Sequence, residues 1–482
     1  MLVNSLNFLI FFGIVFFIYY IPLKEKTKSQ NWLLFVASYV FYGIAAWQMI
    51  PLLFTATTIF YFLGFAIRRG NEKKASLLTT LGVCIGVGLL LYFKYLNFFI
   101  QSFADLFNTI GLKANWGTFN IILPLGISFF TFRLISYIIE VRRGKMVPTK
   151  DFVVFANYIA FFPTIMSGPI DRPNSFIPQL TNKRTFNYGL ASDGCRQIIW
   201  GMSKKMIIAD NLATIVNPVW ADIPNQSGST LFITAILYSI QMYTDFSGYS
   251  DMAIGIGKIL GFRITKNFNY PYFTRNVSEY WRNWHMSLTS WLTDYVFMPL
   301  NVKFRDLGNF GLILAIIINM VVVGLWHGAN WTFALFGLYH GLLFIPLILS
   351  GSFFKKKKLK TNKLGIPYLK DVLKMLGTFL LVTLGLVIFR ADNIGQFWDY
   401  INGFFNFSNF FKLTLDKKEL VPLALFIVIM FILEWFERGK EFALSTFLTK
   451  NNIVFRWSFY FFLIVMLFVM SSKQQEFIYF QF

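Results

Sequence analysis

The sequence predicts an all-α polytopic membrane protein, and three observations carry that prediction. Of the 482 residues, 56% are hydrophobic and 20% aromatic, while only 14% are charged, too little charge to cover a soluble chain of this length. The apolar residues gather into runs close to the roughly 20 that cross a bilayer as a helix. Short basic clusters recur between those runs, the pattern left by positive-inside insertion.

The apolar runs lie at 6–22, 32–50, 52–67, 76–93, 119–139, 152–170, 230–244, 311–326, 329–350, 374–390, 420–435 and 457–471. They predict about ten to twelve spanning helices, with shorter interfacial or re-entrant helices beside them. Before the first run MLVNSLN carries no basic residue, whereas Lys24, Lys26 and Lys28 follow it; that order predicts an uncleaved first span with its N-terminus outside. Arg68, Arg69, Lys73 and Lys74, then Arg142, Arg143 and Lys145, then Lys355–Lys358 are expected on the cytoplasmic side with Lys24–Lys28. The alternation holds provided that 95–110 does not cross fully.

The formal charge of +21 is spread over many short loops instead of one stripe, which argues against a nucleic-acid partner. It suits anionic lipid and an anionic acyl carrier. Cys84 and Cys195 are too few for a disulfide framework or a zinc site. With no flexible linker and no periodic repeat, the chain reads as one membrane domain, 1–482.

The least membrane-like block is 171–229. Within it Gly194–Leu212 has a helical period, apolar at Ile198, Ile199, Met202, Met206 and Ile207 with Arg196, Lys204 and Lys205 elsewhere, as expected of a helix at the interface or partly buried beside a site. Further polar interruptions run from Lys266 to Arg282 and from Lys355 to Lys370. Between them, 241–261 holds two carboxylates, Asp245 and Asp251. Ser247, Asp251 and Gly255 stand four apart, as do Ala253, Gly257 and Gly261, so one helix side offers small residues. Two readings stay open for the aspartates: buried hydrogen-bonding partners at a helix contact, or chemistry. Gly255, Gly257 and Gly261 imitate a dinucleotide fingerprint, but one residue too long and with no strand–helix unit around them.

Signatures for phosphate cradling, zinc proteolysis and serine-elbow hydrolysis (GxxxxGK[ST], HExxH, GxSxG) are absent from the sequence, as is a paired CxxC. Three histidines remain. Polar groups at membrane depth are costly and therefore functional candidates. His340, in GLYHGLL, reads as a structural tie between helices. His327, in GLWHGANW with Trp326 and Asn330 beside it, sits at a short break between two apolar helices, where irregular backbone needs protein or water around it. His285 follows Arg282, Asn283 and Trp284 at a polar helix start, suiting an interfacial anchor or a substrate channel. A neutral imidazole can take the proton of a hydroxyl as it attacks a thioester or ester. No serine or cysteine stands beside the histidines in sequence, which favours direct acyl transfer.

YTDFSGYSDMAIGIGKILGF (243–262), NFNYPYFTRNVSEYWRNWHMSLTSWLTDYVFMPL (267–300) and LWHGANWTFALFGLYHG (325–341) together resemble the bacterial branch of the membrane-bound O-acyltransferases (MBOAT). PLGISFFTF (124–132), SGPIDRP (167–173) and the closing FIYFQF (477–482) strengthen the resemblance, which spans nearly the whole chain and is densest over 124–341. It is greatest to the alginate and peptidoglycan O-acetylating members; the D-alanyl transfer proteins of teichoic acid modification are similar too, notably at SGPIDR. The resemblance implies a ring of helices around a thinned centre, with funnels from both faces meeting at a histidine in a central tunnel. It implies His327 and His285 as the functional pair, acetyl-CoA as donor with no permanently bound cofactor and no metal, and a bacterial cell-membrane location. It also implies an extracytoplasmic partner of serine-type (SGNH) esterase fold that completes transfer to a surface polysaccharide. Asp245, Asp251, Trp281, Arg282, Asn283, Trp326 and Asn330 are the candidates for the tunnel wall.

Overall fold

Backbone groups at membrane depth have no water to bond, so apolar runs satisfy them within helices. The structure is a computed structural model describing residues 1–113, 116–355, 359–363, 365–406, 410–446, 452–471 and 475–478. Among the described residues the regular structure is helical, apart from one isolated bridge between Thr361 and Pro367.

The helices are α1 (Leu6–Tyr20), α2 (Thr27–Ala46), α3 (Ile50–Arg69), α4 (Glu72–Leu90), α5 (Leu96–Thr109), α6 (Ile127–Arg142) and α7 (Phe152–Ala160). Then come α8 (Pro173–Thr181), α9 (Tyr188–Met202), α10 (Asp210–Ala221), α11 (Gly228–Ile259), α12 (Val277–Asn283), α13 (Met286–Leu292) and α14 (Met298–Lys303). The last are α15 (Gly308–His327), α16 (Trp331–Leu343), α17 (Ile345–Leu349), α18 (Leu369–Arg390), α19 (Ile394–Phe404), α20 (Lys417–Phe436) and α21 (Ile453–Val469).

Among the described residues, six helical runs are long and apolar enough to cross a membrane: Thr27–Arg69, Glu72–Thr109, Arg305–His327, Trp331–Leu349, Leu369–Arg390 and Lys417–Phe436. The first joins α2 and α3, 20 residues each, and at about 1.5 Å per residue either one matches a hydrocarbon core. Leu6–Tyr20 and Ile453–Val469 are shorter apolar helices. Two runs expected as spans are shaped differently. Residues 119–126 are not helical and α6 starts only at Ile127, while 152–170 stops being helical after Ala160 and continues as turns. The segment 95–110 forms α5, continuous with α4 through a π-helical turn at Leu91–Tyr95.

The chain divides into two compact units, one of Met1–Cys195 with Ala253–Thr265 and one of Arg196–Met252 with Lys266–Phe482. In the first, the reason α7 ends is visible. Arg133 of α6, fully buried, donates to the carbonyls of Tyr158, Ile159 and Pro169 and to Thr164 Oγ1 at 2.6–3.3 Å. One guanidinium thus satisfies carbonyls that a longer helix would have bonded internally. Gly126 lies at φ 68°, and a Cβ there would overlap the Ile165 carbonyl oxygen, so PLGISFFTF and the stretch before SGPIDRP meet backbone to backbone. Asp171 closes the same region by accepting from Thr265 N and Oγ1.

In the second unit α15 and α16 form a hairpin. A Cβ at Gly324 would overlap Phe333 O, and one at Gly337 would overlap Met320 O, so the two backbones are in direct contact. Small residues permit that approach where the surroundings supply no hydrophobic drive between helices.

Candidate active site

His285 is positioned by its own backbone and by a distant asparagine. It stands between α12 and α13 in the left-handed region, φ 43° and ψ 52°, a conformation costing a non-glycine residue on the order of 1–3 kcal/mol. The segment after α11 holds it there: Met286 N donates to Asn267 O at 2.8 Å, and Asn269 N donates to Asn283 O at 3.0 Å. The Asn267 side chain is fully buried, and its Oδ1 accepts from Ser287 N at 3.3 Å and from Ser287 Oγ at 2.9 Å. An oxygen already receiving those donors also accepts from His285 Nδ1 at 3.0 Å. The neutral imidazole therefore carries its hydrogen on Nδ1, leaving Nε2 as the basic nitrogen.

His327 is the last residue of α15, and its neighbour Gly328 turns to extended backbone at φ −170°. Asn330 caps α16 through Thr332 N at 3.0 Å and donates from Nδ2 to Asp392 O at 2.7 Å. The short break that the sequence predicts between two apolar helices is thus present, made by Gly328 and by the cap. Trp326 packs against both histidines, its ring 5.4 Å from His285 and 4.8 Å from His327 by centroids. Phe389 at 5.0 Å and Phe336 at 6.1 Å complete the aromatic surround of His327, which is buried. Phe246 packs edge-on to His285 at 4.6 Å. Two imidazoles from sequence positions 42 apart in number, each flanking one indole, are the central geometric fact of this unit.

The remaining candidates separate into three places. Trp281 donates from Nε1 to His340 Nδ1 at 3.3 Å. A Cβ at Gly385 would lie 2.6 Å from His340 Nε2, so His340 ties α12, α16 and α18 together, the structural role its sequence context suggests. Arg282 and Asn283 line a cavity of about 410 Å³ with Asn269, Tyr270, Arg275 and Arg438. There Arg282 also donates to Phe353 O at 2.8 Å, and the Glu279 carboxylate hydrogen-bonded to Arg275 raises that guanidinium's pKa above its ordinary value.

Asp245 and Asp251 are engaged in an ionic network with two buried lysines. Lys205 pairs with Asp245 at 2.5 Å and with Asp210 at 2.9 Å; Lys204 pairs with Asp251 at 2.6 Å and donates to Ser247 Oγ at 2.9 Å. Gln197 adds a hydrogen bond to Asp251 at 2.8 Å. Of the two placements expected for 194–212, interfacial or partly buried, burial holds at its lysines: Lys204 and Lys205 are 3% and 5% exposed. Both lie in a π-helical turn over Ser203–Ala209, whose extra residue interrupts the 3.6 period. Beside that turn, added Cβ atoms at Gly201 and Gly248 would lie 2.6 and 2.7 Å from each other's carbonyl oxygens. The small side expected on 241–261 makes a helix contact at Gly255, whose carbonyl oxygen a Cβ at Gly194 would approach to 2.6 Å, and each aspartate stands three residues from Gly248.

Sequence reasoning missed Asn267, Lys204, Lys205 and Glu434. Glu434, buried on α20, accepts at 2.9 Å on both oxygens from Tyr243 OH; its one sequence signal is a carboxylate near the end of an apolar run. Among the described residues no group of three or more His, Cys, Asp or Glu side chains could hold a metal ion. Of FIYFQF, Phe477 and Ile478 are buried and 479–482 lie outside the described residues, as do Lys356–Lys358 of the basic cluster.

Comparison with known proteins gives this geometry a family. Residues 148–387 match the family model of MBOAT, membrane-bound O-acyltransferase family. The "Probable alginate O-acetylase AlgI" of Azotobacter vinelandii is 36% identical over 432 residues, 86% of this chain and 82% of that one. The "Peptidoglycan O-acetyltransferase" of Helicobacter pylori is 31% identical over 453 residues, 87% and 82%. The "Teichoic acid D-alanyltransferase" of Streptococcus thermophilus is 33% identical over 279 residues, 54% and 65%. With relatives matched over most of both chains, and helices long and apolar enough to span a bilayer, this multi-pass membrane protein belongs to the membrane-bound O-acyltransferase family and is an O-acyltransferase.

Proposed function

We propose that the protein moves acetyl groups from cytoplasmic acetyl-CoA across the bacterial cell membrane for O-acetylation of a surface polysaccharide such as alginate or peptidoglycan. The observation that carries the reading is the pair His285 and His327, both packed against the one indole of Trp326 within one unit, at 5.4 and 4.8 Å. In the chemistry, an imidazole takes the proton of an attacking hydroxyl while the new C–O bond forms. The thioester C–S bond then breaks, and the imidazolium returns the proton to the departing thiolate. His327 is assigned to this base, at a helix end whose next residue leaves the helix. His285, with Nε2 as its basic nitrogen, is the second functional imidazole. Trp326, Trp281 and Asn330 hold the surround, and Asp245 and Asp251 fix α11 beside it.

The donor site is assigned to the cavity that Arg275, Arg282, Asn283 and Arg438 line, because guanidinium groups suit a phosphate-bearing donor. The 1–482 chain acts as one domain in this scheme, with its N-terminus outside. An extracytoplasmic SGNH-type partner receives the group and passes it to the polymer. D-alanyl transfer is the alternative that the teichoic acid relative supports. It would use a D-alanyl carrier protein in place of acetyl-CoA, and radiolabelled donors supplied to membranes separate the two.

The decisive experiment replaces His327 with Ala and measures polymer acetylation in cells with unchanged membrane levels of the protein. A loss on the order of 10²–10⁴-fold is expected for removal of a general base. Wild-type acetylation in that variant refutes the reading.

A further inference from the structure

The buried lysine–aspartate network does something besides pairing charges. Asp245 presents one oxygen to Lys205 and the other to a backbone amide 233 residues away, Ile478 N at 2.9 Å. Lys205 Nζ donates to Gln475 O at 3.3 Å and lies 6.0 Å from the Phe477 ring centroid. Asn211 adds Met470 O at 2.9 Å. A carboxylate and an ammonium so placed bond a peptide segment as an adjacent strand or helix end would, taking one N–H and one C=O. The segment is drawn inward: Phe477 and Ile478 are 2% and 8% exposed.

The ring that this capture inserts reaches the site through a single intermediary. Phe477 stacks on Tyr249 at 4.9 Å and meets Phe246 at 5.7 Å, and Phe246 is the ring packed edge-on to His285. Removing Phe477 leaves the Phe246 face against empty space, into which that ring can turn. His285 would then lose the Phe246 side of its apolar cover while keeping Trp326 and its bond to Asn267. We propose that Gln475–Ile478 is a positioning segment for His285, captured by Lys205 and Asp245 and acting through Phe477 on Phe246. The proposal rests on the assignment of His285 as a functional imidazole, and its test separates the two.

The full-length protein, purified in nanodiscs, is treated with diethylpyrocarbonate, and carbethoxylation of His285 is followed by peptide mass spectrometry. In wild type His285 reacts slowly. In Phe477→Ala and in Asp245→Asn it is expected to react roughly tenfold faster, as local opening requires, whereas Phe477→Leu, which keeps apolar bulk, stays near wild type. Acetyl transfer is then measured with acetyl-CoA as donor: kcat falls in the first two variants while KM for acetyl-CoA holds, and Phe477→Leu restores it. Should Phe477→Ala fail to fold, Asp245→Asn, nearly isosteric, carries the same readout. His285 equally shielded in both variants overturns the proposal, and so does a loss of transfer that appears wholly in KM. A fully active His285→Ala instead defeats the catalytic assignment, leaving the labelling result to report on the segment.

Discussion

Asn267 gives His285 its tautomer, and this makes an otherwise inconspicuous amide as consequential as the imidazole. Replacing it with Ala removes the acceptor for Nδ1–H and for Ser287, so the ring can turn or carry its proton on Nε2. Transfer is expected to fall on the order of 10²-fold, the scale of a 1 Å misplacement, with Asn267→Asp, which still accepts, retaining more. Initial rates at matched membrane abundance check this, and an Asn267→Ala enzyme of wild-type rate removes the tautomer argument. The histidines were legible in the sequence because a polar group in an apolar run is conspicuous. Asn267 was not, since its meaning lies in three donors brought to it by folding, two of them from Ser287. Lys204 was hard to read for a related reason. A helical period of 3.6 places it opposite Ile198 and Met202, and the π-helical turn over Ser203–Ala209 interrupts that period. Lys205→Met leaves Asp245 and Asp210 without their common cation, an expected cost of about 3–5 kcal/mol. In a double-mutant cycle, adding Asp245→Asn should recover part of it, read as thermal unfolding in detergent; strictly additive losses would show that the pair is not coupled.

At the scale of helices, the α15–α16 hairpin sets where His327 emerges, and its glycines set the hairpin. Gly324→Ala inserts a methyl into the Phe333 carbonyl, an overpacking expected to cost about 1–3 kcal/mol. It should also reduce transfer by shifting the end of α15. Gly88→Ala is the matched control: nothing lies within 4 Å of its added Cβ, and it should be neutral or stabilising by roughly 0.4–1 kcal/mol. Measured on both, melting temperature and transfer rate should fall only for Gly324→Ala. The two long helices of the hairpin and the break between them could be read from the sequence, because apolar length and the GAN stretch signal both. The end of α7 was readable only in part. Pro163 has no amide for Ile159 O and disfavours a helical Phe162, whereas Arg133, a side chain of another helix supplying donors to the carbonyls left over, has no local signal.

For the molecule as a whole, hydropathy identified an all-helical membrane protein, and motif order identified its family. The number of crossings is less readable. A window of apolar residues counts 119–139 and 152–170 equally with α18, although the first begins in exposed, non-helical chain ahead of α6 and the second is a short buried helix followed by buried turns. Orientation is testable directly. If the basic loops face the cytoplasm, a cysteine placed at Lys145 should react with a membrane-impermeant maleimide only after permeabilisation, and one at Ser5 should react in intact spheroplasts. Reversed labelling would invert the proposed direction of transfer.

The crossing of Gly201 over Gly248 has one more implication, for motion. Two peptide backbones in van der Waals contact cannot slide closer, and Lys204 and Lys205, clamped to aspartates on either side of the crossing, stop them from rolling. The joint is therefore an axle without play. Whatever swings aside to admit a donor or release a product must hinge elsewhere, where backbones are not so closely packed.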